Sequence, residues 1–303
     1  MTTTTECGYH VTQEDVVQHL IGVDDLGRAG IERLLDLAGT LESRGVENAP
    51  PVLTGAIVAL VFAAPSVRTR SSFQAAALRL GGQVLDISGP QGLPYAAEAL
   101  ADVLQSIDLL CNLLVVRHSW SPDADALASL SRVPLVNAGL MCGEHPTQAL
   151  ADLYTLRQAF GSFQGLRLGL VAEDSQGREV TSLRRAIVHF PEIAAVWYGP
   201  DDEAAEGASA RRPVAALADD ARGLSVVYVT PSTRRSVRWS QSVAAALRAA
   251  VQQNGELVLL HPLPRGAELP ADLDQHVRSA YFRQARNGLW VREAVLGSLL
   301  GRL

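Results

Sequence analysis

The sequence contains no lysine. All 26 basic residues are arginine, which excludes Schiff-base and pyridoxal chemistry and the phosphate-gripping lysine of a P-loop, because each needs an amine on a flexible stem. Cysteine is scarce as well. Cys7, Cys111 and Cys142 are odd in number and unrelated in spacing, which argues against a disulfide framework and a structural zinc site. Long apolar runs are missing: Ala56–Ala64 and Leu109–Val116 fall far short of the roughly 20 residues that cross a bilayer, so they read as core strands. The opening MTTTTECGYH has no basic stretch leading into an apolar one, so no secretory signal is expected and the expected location is cytoplasmic. Net charge is −6 and the arginines are dispersed, so neither nucleic acid nor a membrane is an expected partner. No metal and no cofactor are expected either.

What the chain does have is apolar residues, 48% of 303, enough to build two ordinary cores. From residue 55 short apolar runs alternate with amphipathic stretches. AIVALVF precedes a helix over Arg68–Leu80, QVLDI one over Ala96–Ile107, LLCNLLVV one near Asp123–Leu130, and PLVNA one over Gln148–Phe160. The pattern restarts after residues 161–165, with RLGLVA, AAVWY, LSVVYV and ELVLLHP as four more buried strands and a last helix from about Asn287 to Leu300. This βαβα order predicts an α/β protein of two doubly wound parallel-sheet domains joined by helices. The expected division is 1–148 with the C-terminal helix 287–303, and 149–286. AAEGASARRP reads as a solvated loop, and there is no repeat, heptad run or low-complexity linker.

Ligands of open parallel sheets sit beyond the carboxyl ends of the strands. After the first strand comes Pro65-Ser66-Val67-Arg68-Thr69-Arg70-Ser71-Ser72-Phe73, a turn and then a helix start rich in hydroxyls and guanidinium groups. Free N–H groups at such a start, with an arginine fork, make a phosphate site without lysine. A capped surface helix is the plainer reading of the same stretch. His145-Pro146 could likewise be a turn, Arg117 an ion-pair partner and Gln148 a first-turn helix residue. A dinucleotide-binding oxidoreductase would suit the sheet pattern, but no strand is followed by Gly-x-Gly-x-x-Gly.

PSVRTRSSF resembles the carbamoyl-phosphate motif of the aspartate and ornithine carbamoyltransferases, normally Ser-Thr-Arg-Thr-Arg. His145-Pro146-Thr147-Gln148-Ala149-Leu150-Ala151-Asp152-Leu153 is similar to their second signature. His261-Pro262-Leu263-Pro264-Arg265 and Tyr281-Phe282-Arg283-Gln284-Ala285 are similar to the third and fourth, in aspartate-type form. The ordered set covers nearly the whole chain, about 55–300. The resemblance implies a homotrimer with active sites at subunit borders, transferring a carbamoyl group from carbamoyl phosphate to an amine. It implies a carbamoyl-phosphate domain first and an acceptor domain second. Ser66, Val67 through its N–H, Arg68 and Thr69 would hold the phosphate. Arg117, Thr69 and His145 would surround the carbonyl oxygen, Gln148 would read the carbamoyl NH₂, and Leu263 and Pro264 would offer backbone carbonyls to the substrate amines. Arg178 would grip the acceptor's α-carboxylate.

Three segments depart from the family, the first being the phosphate motif, where Val67 stands in place of threonine and one hydroxyl donor is lost. The loop after QVLDI has no lysine to reach a neighbouring site, and Ala96 stands at its position; Gln91 is the residue there that could donate in trans. Where the family has Thr-Arg-x-Gln to read aspartate's side-chain carboxylate, the chain has Thr230-Pro231-Ser232-Thr233, then Arg234 and Arg235. Proline has no forked donor and Thr233 is shorter than glutamine. These losses fall mainly on recognition of the acceptor's side-chain carboxylate, so the expected acceptor is an amino-acid-like amine other than aspartate. The alternative is a non-catalytic family member acting as a structural or regulatory partner. Cys142, Trp120, Trp290 and His189 match no role and read as packing.

Overall fold

The architecture was established from a computed structural model that describes residues 19–88, 100–118, 124–140, 143–174, 177–200, 211–232 and 236–303. The chain divides into two compact units, Met1–Leu150 with Asn287–Leu303, and Ala151–Arg286.

In the first unit, helix α1 (Gly27–Arg44) precedes strand β1 (Ile57–Phe62), α2 (Val67–Arg79), β2 (Gln83–Asp86), α3 (Leu100–Ile107), β3 (Leu113–Arg117), α4 (Ala124–Leu130) and β4 (Leu135–Asn137). The four strands form one sheet in the order β2-β1-β3-β4, with every pairing parallel. A parallel strand is covered on both faces, so it must be apolar throughout rather than alternating. Accordingly β1 is buried from Val58 to Phe62. Helix α2 buries Thr69, Phe73, Ala76 and Ala77, the spacing that keeps one helical face on the sheet.

The second unit begins within α5 (Pro146–Phe160), which carries the chain from Leu150 to Ala151, and continues through β5 (Arg167–Val171), α6 (Arg178–Val188), β6 (Ala194–Gly199), β7 (Arg211–Pro213), α7 (Leu217–Asp220), β8 (Val226–Val229), α8 (Val237–Gln253) and β9 (Val258–Leu260). Helix α9 (Tyr281–Leu299) returns the chain to the first unit between Arg286 and Asn287. The sheet order is β7-β6-β5-β8-β9, again all parallel. Trp239, Val243 and Leu247 of α8 pack with Val171, Tyr198, Val227 and Val229 of the sheet.

The expected fold class is therefore the observed one, with three local differences. Arg211–Pro213, read as loop, is an edge strand paired with β6; an edge position is where a strand tolerates proline and charge. Helix α9 starts at Tyr281, not near Asn287; Gly288, a residue that weakens a helical pattern, lies inside it beside Arg292. Helix α1 was not anticipated. Among the described residues no helix is long and apolar enough to cross a membrane.

Candidate functional site

In the first sheet the chain leaves β1 toward β2 and resumes on the opposite side at β3, so the connections part at the carboxyl ends of β1 and β3 and open a crevice there. Phe62 and Arg117 pair across that end, and the Ala63 N–H donates to the Arg117 carbonyl at 2.9 Å. Ser66 precedes α2 with extended backbone, and its hydroxyl makes no capping bond. Among the described residues the helix's first N–H groups thus receive no capping bond from that hydroxyl, an arrangement that can bind anions. Val67 is 78% exposed and Thr69 buried. Partial burial lowers the Arg68 guanidinium below its ordinary pKa, and Arg70 turns to Asp86 at 3.6 Å.

Arg117 ends β3 and donates from Nη1 to the Ala138 carbonyl at 2.9 Å. That carbonyl follows Asn137, a fully buried residue that ends β4. Asn137 Oδ1 accepts from the Gly139 and Leu140 N–H groups at 2.8 and 2.7 Å, while Nδ2 donates to the carbonyls of Ile21 at 2.8 Å and Glu144 at 3.4 Å. Glu144 accepts from the Val23 N–H at 3.1 Å. The segment entering α5 is therefore tied at both ends. Next comes buried His145, whose carbonyl accepts from the Gln148 and Ala149 N–H groups. Pro146 occupies the first helical position, where its missing N–H costs nothing. Ser66, Val67, Arg68, Thr69, Arg117, His145 and Gln148 thus all follow or end strands on one carboxyl edge.

The second sheet has its own switch point, between β5 and β8. Glu173 follows β5 and is buried, and the Ser232 hydroxyl donates to it at 2.8 Å across the crevice. Thr230 follows β8, with N–H and hydroxyl both directed to the Val171 carbonyl at 3.0 and 3.4 Å. Arg178 is the first residue of α6. Gln91 and Thr233 lie outside the described residues, as do Arg234 and Arg235.

After β9 the chain turns at Leu263, which has φ +56° and a cis bond to Pro264. The two C-terminal motifs brace this turn. Arg265 donates to Asp274 through both terminal nitrogens, and Asp274 accepts from the Tyr281 hydroxyl. Burial first, then Asp274, pushes the Tyr281 phenol up to about 12. Gln284 accepts from the His261 N–H at 2.9 Å and donates to Asp152 at 2.6 Å. Burial, with Asp152 beside it, holds the Tyr228 phenol well above its ordinary pKa. The supporting residues that sequence reasoning missed are Asn137, Glu144, Glu173 and Glu268. A polar residue closing an all-apolar strand, as in PLVNA, was the signal available for Asn137.

Two family models match the chain: Aspartate/ornithine carbamoyltransferase, carbamoyl-P binding domain, over residues 18–158, and Aspartate/ornithine carbamoyltransferase, Asp/Orn binding domain, over residues 217–299. The aspartate carbamoyltransferase catalytic subunit of Methanopyrus kandleri is 34% identical over 300 residues, covering 93% of this chain and 97% of its own. The M. jannaschii aspartate transcarbamoylase catalytic subunit superposes with a TM-score of 0.84 at 29% identity, covering 94% and 98% of the two chains. The Trypanosoma cruzi aspartate transcarbamoylase in complex with carbamoyl phosphate and aspartate superposes with a TM-score of 0.81 at 29% identity, covering 94% and 96%. These findings overturn the expectation of an acceptor other than aspartate, and nothing in them favours a non-catalytic partner. The error was to equate a lost Thr-Arg-x-Gln pattern with a lost carboxylate site, although a carboxylate can be met by any guanidinium within reach.

Proposed function

The chain belongs to the aspartate/ornithine carbamoyltransferase family, and from that premise we propose that this carbamoyltransferase carries the carbamoyl group of carbamoyl phosphate to the α-amino group of aspartate. The observation that carries the reading is the donor set on the carboxyl edge of the first sheet: an open helix start with Ser66, Arg68 and Thr69, and beside it Arg117 and the braced His145.

In this reading the α2 N–H groups, that of Val67 among them, hold the phosphate with Ser66, Arg68 and Thr69. The neutral amine attacks the carbamoyl carbon, and a C–N bond forms as the carbonyl oxygen gains charge. Arg117, Thr69 and neutral His145 donate to that oxygen, and Gln148 fixes the carbamoyl NH₂. Each such preorganised donor contributes about 100-fold or more. The C–O bond to phosphate then breaks, its electron pair leaves with the phosphate beside Arg68, and the proton shed by nitrogen passes to the departing phosphate. Carbonyls of Leu263 and Pro264 orient the amines. Arg178 receives the α-carboxylate, and the Thr230–Thr233 segment with Arg234 and Arg235 the side-chain carboxylate.

The active unit in this reading is a homotrimer, with Gln91 reaching the neighbouring site. The Cys111 thiol is buried and raised to about 11 mainly by that burial, and we assign the enzyme to the cytoplasm. The test is kcat/KM for aspartate against ornithine and 2,3-diaminopropionate, scored by phosphate release, with the mass in solution read by light scattering. Aspartate is expected to lead at a mass of three 32.3 kDa chains. Preference for another amine would overturn the acceptor, and a stable monomer would overturn the shared site.

A further inference from the structure

Leu263 holds φ +56°, a left-handed backbone that a residue with a Cβ adopts only when its surroundings impose it. The imposing groups are buried beside it. The Leu263 N–H donates to His261 Nδ1 at 2.9 Å, so Nδ1 carries no proton and the imidazole's proton sits on Nε2. Nε2 faces Glu268 Oε1 at 3.3 Å, with the His261 and Glu268 side chains 0% and 2% exposed. The same Oε1 accepts from the Gly266 N–H at 2.6 Å, and a Cβ on Gly266 would stand 2.6 Å from Glu268 Oε2. One carboxylate therefore holds both arms of the turn, the first through the imidazole and the second directly.

We propose that Glu268 and His261 are positioning residues for carbamoyl transfer: the carboxylate fixes the Nε2–H tautomer, the tautomer holds Leu263 left-handed, and that backbone sets the direction of the Leu263 and Pro264 carbonyls. The proposal rests on the reading above that these carbonyls meet the substrate amines. Neither side chain touches substrate. The hydrogen bonds Glu268 receives explain its charge state: burial opposes ionisation, but donation from His261 and from the Gly266 N–H outweighs it and keeps the carboxyl below its ordinary pKa.

Glu268→Ala should lower kcat for aspartate about 30-fold and leave the KM for carbamoyl phosphate within about threefold, because the phosphate donors lie in the other unit. Glu268→Gln keeps an acceptor for Nε2–H and should stay within about threefold of the parent. Leu263→Gly added to Glu268→Ala should return about fivefold in kcat, since glycine adopts the left-handed backbone unaided. Nitrogen NMR of histidine-labelled protein, with the His261 signal identified by its absence in His261→Asn, should report the Nε2–H tautomer in the parent and in Glu268→Gln, and its loss in Glu268→Ala. Parent-like kcat in Glu268→Ala, no gain from Leu263→Gly, or an unchanged tautomer in Glu268→Ala would overturn the proposal. If Glu268→Ala does not fold, Glu268→Asp decides, because its shorter side chain draws the carboxylate back from Nε2: a fall in kcat of about tenfold or more with the KM for carbamoyl phosphate within about threefold supports the positioning role, and parent-like kcat overturns it. A parent that carbamoylates ornithine instead of aspartate would sink the acceptor reading, while the tautomer comparison still judges the positioning pair.

Discussion

The two sheets present the same topological feature and use it differently. At the switch point of the first sheet the polar groups are held ready: among the described residues the Ser66 hydroxyl makes no capping bond to the first N–H groups of α2. At the switch point of the second, the side chains beside the strands bond to one another, Ser232 to Glu173 and Thr230 to the Val171 carbonyl. An anion arriving at the first crevice meets donors already unsatisfied, and preorganisation of that kind raises rates. A ligand arriving at the second must compete with internal hydrogen bonds, so the proposed reading gives its recognition to longer side chains, Arg178, Arg234 and Arg235. Transfer chemistry belongs to the first crevice in this view, and acceptor choice to the second.

The largest effect should come from the first crevice. Arg68→Ala removes the guanidinium proposed to meet the leaving phosphate, and kcat/KM should fall about 1000-fold, an uncompensated transition-state charge costing roughly 4 kcal/mol. The measurement is steady-state phosphate release with aspartate. Activity within threefold of the parent would break the assignment of transfer chemistry to this crevice.

Next is Asn137→Ala, which deletes the side chain that organises the approach to His145 by bonding to Gly139, Leu140, Ile21 and Glu144. Leaving buried backbone groups unpaired costs about 1–3 kcal/mol each, so the melting temperature should drop by about 5 °C or more. Turnover should fall about 30-fold, because a displaced His145 donor forfeits part of the oxyanion stabilisation. Thermal melts and kcat check both halves. An unchanged kcat in a destabilised protein would separate the loop from the chemistry.

How much of this was legible in the sequence follows from which interactions are local. The parallel sheets were legible because burial on both faces forces continuous apolar runs, and the place of the first-unit candidate residues at the strand ends was legible because they follow those runs directly. Helix α1 was missed although Ile31, Leu34, Leu35, Ala38 and Leu41 are spaced as one buried face. Its N-cap is Leu26, which offers no side-chain hydrogen bond, so the usual start signal is absent. Asn137 carried one mark, a polar residue closing an apolar run, but its partners Ile21 and Glu144 did not show in the residue order, and Glu268 carried none, because an isolated Glu bears no sign of what it will hold. The acceptor was misread because whether an arginine reaches a carboxylate depends on the path of the backbone, which residue order does not disclose.

The second crevice is tested by Arg234→Ala and Arg235→Ala. One of them should raise the KM for aspartate about tenfold, the value of one charge-assisted hydrogen bond, and leave the KM for carbamoyl phosphate unchanged. Equal rises for both substrates would erase the division between the crevices.

The smallest effect sharpens the same contrast between the units, in the way each keeps a buried acid. Glu293 of the first unit pairs with Arg79 through Oε1, and its Oε2 has no hydrogen-bond partner among the described residues. Burial therefore prevails over Arg79 and raises its pKa. Glu268 of the second unit is also buried, but its donors prevail and its pKa is lowered. Linkage gives opposite slopes. A raised folded pKa contributes stability that is complete below the ordinary carboxylate value and is lost as pH rises through the folded one. A lowered folded pKa contributes stability present above the ordinary value and lost as pH falls through the folded one. Glutamine removes each titration, so the melting temperature of Glu293→Gln should gain on the parent by about 2 °C between pH 5 and 7, if the group supplies roughly 1 kcal/mol or less. That of Glu268→Gln should trail the parent at pH 7 and close the gap as the pH is lowered below 4. Slopes of the same sign in the two variants would show that donor count does not set the charge state of these acids.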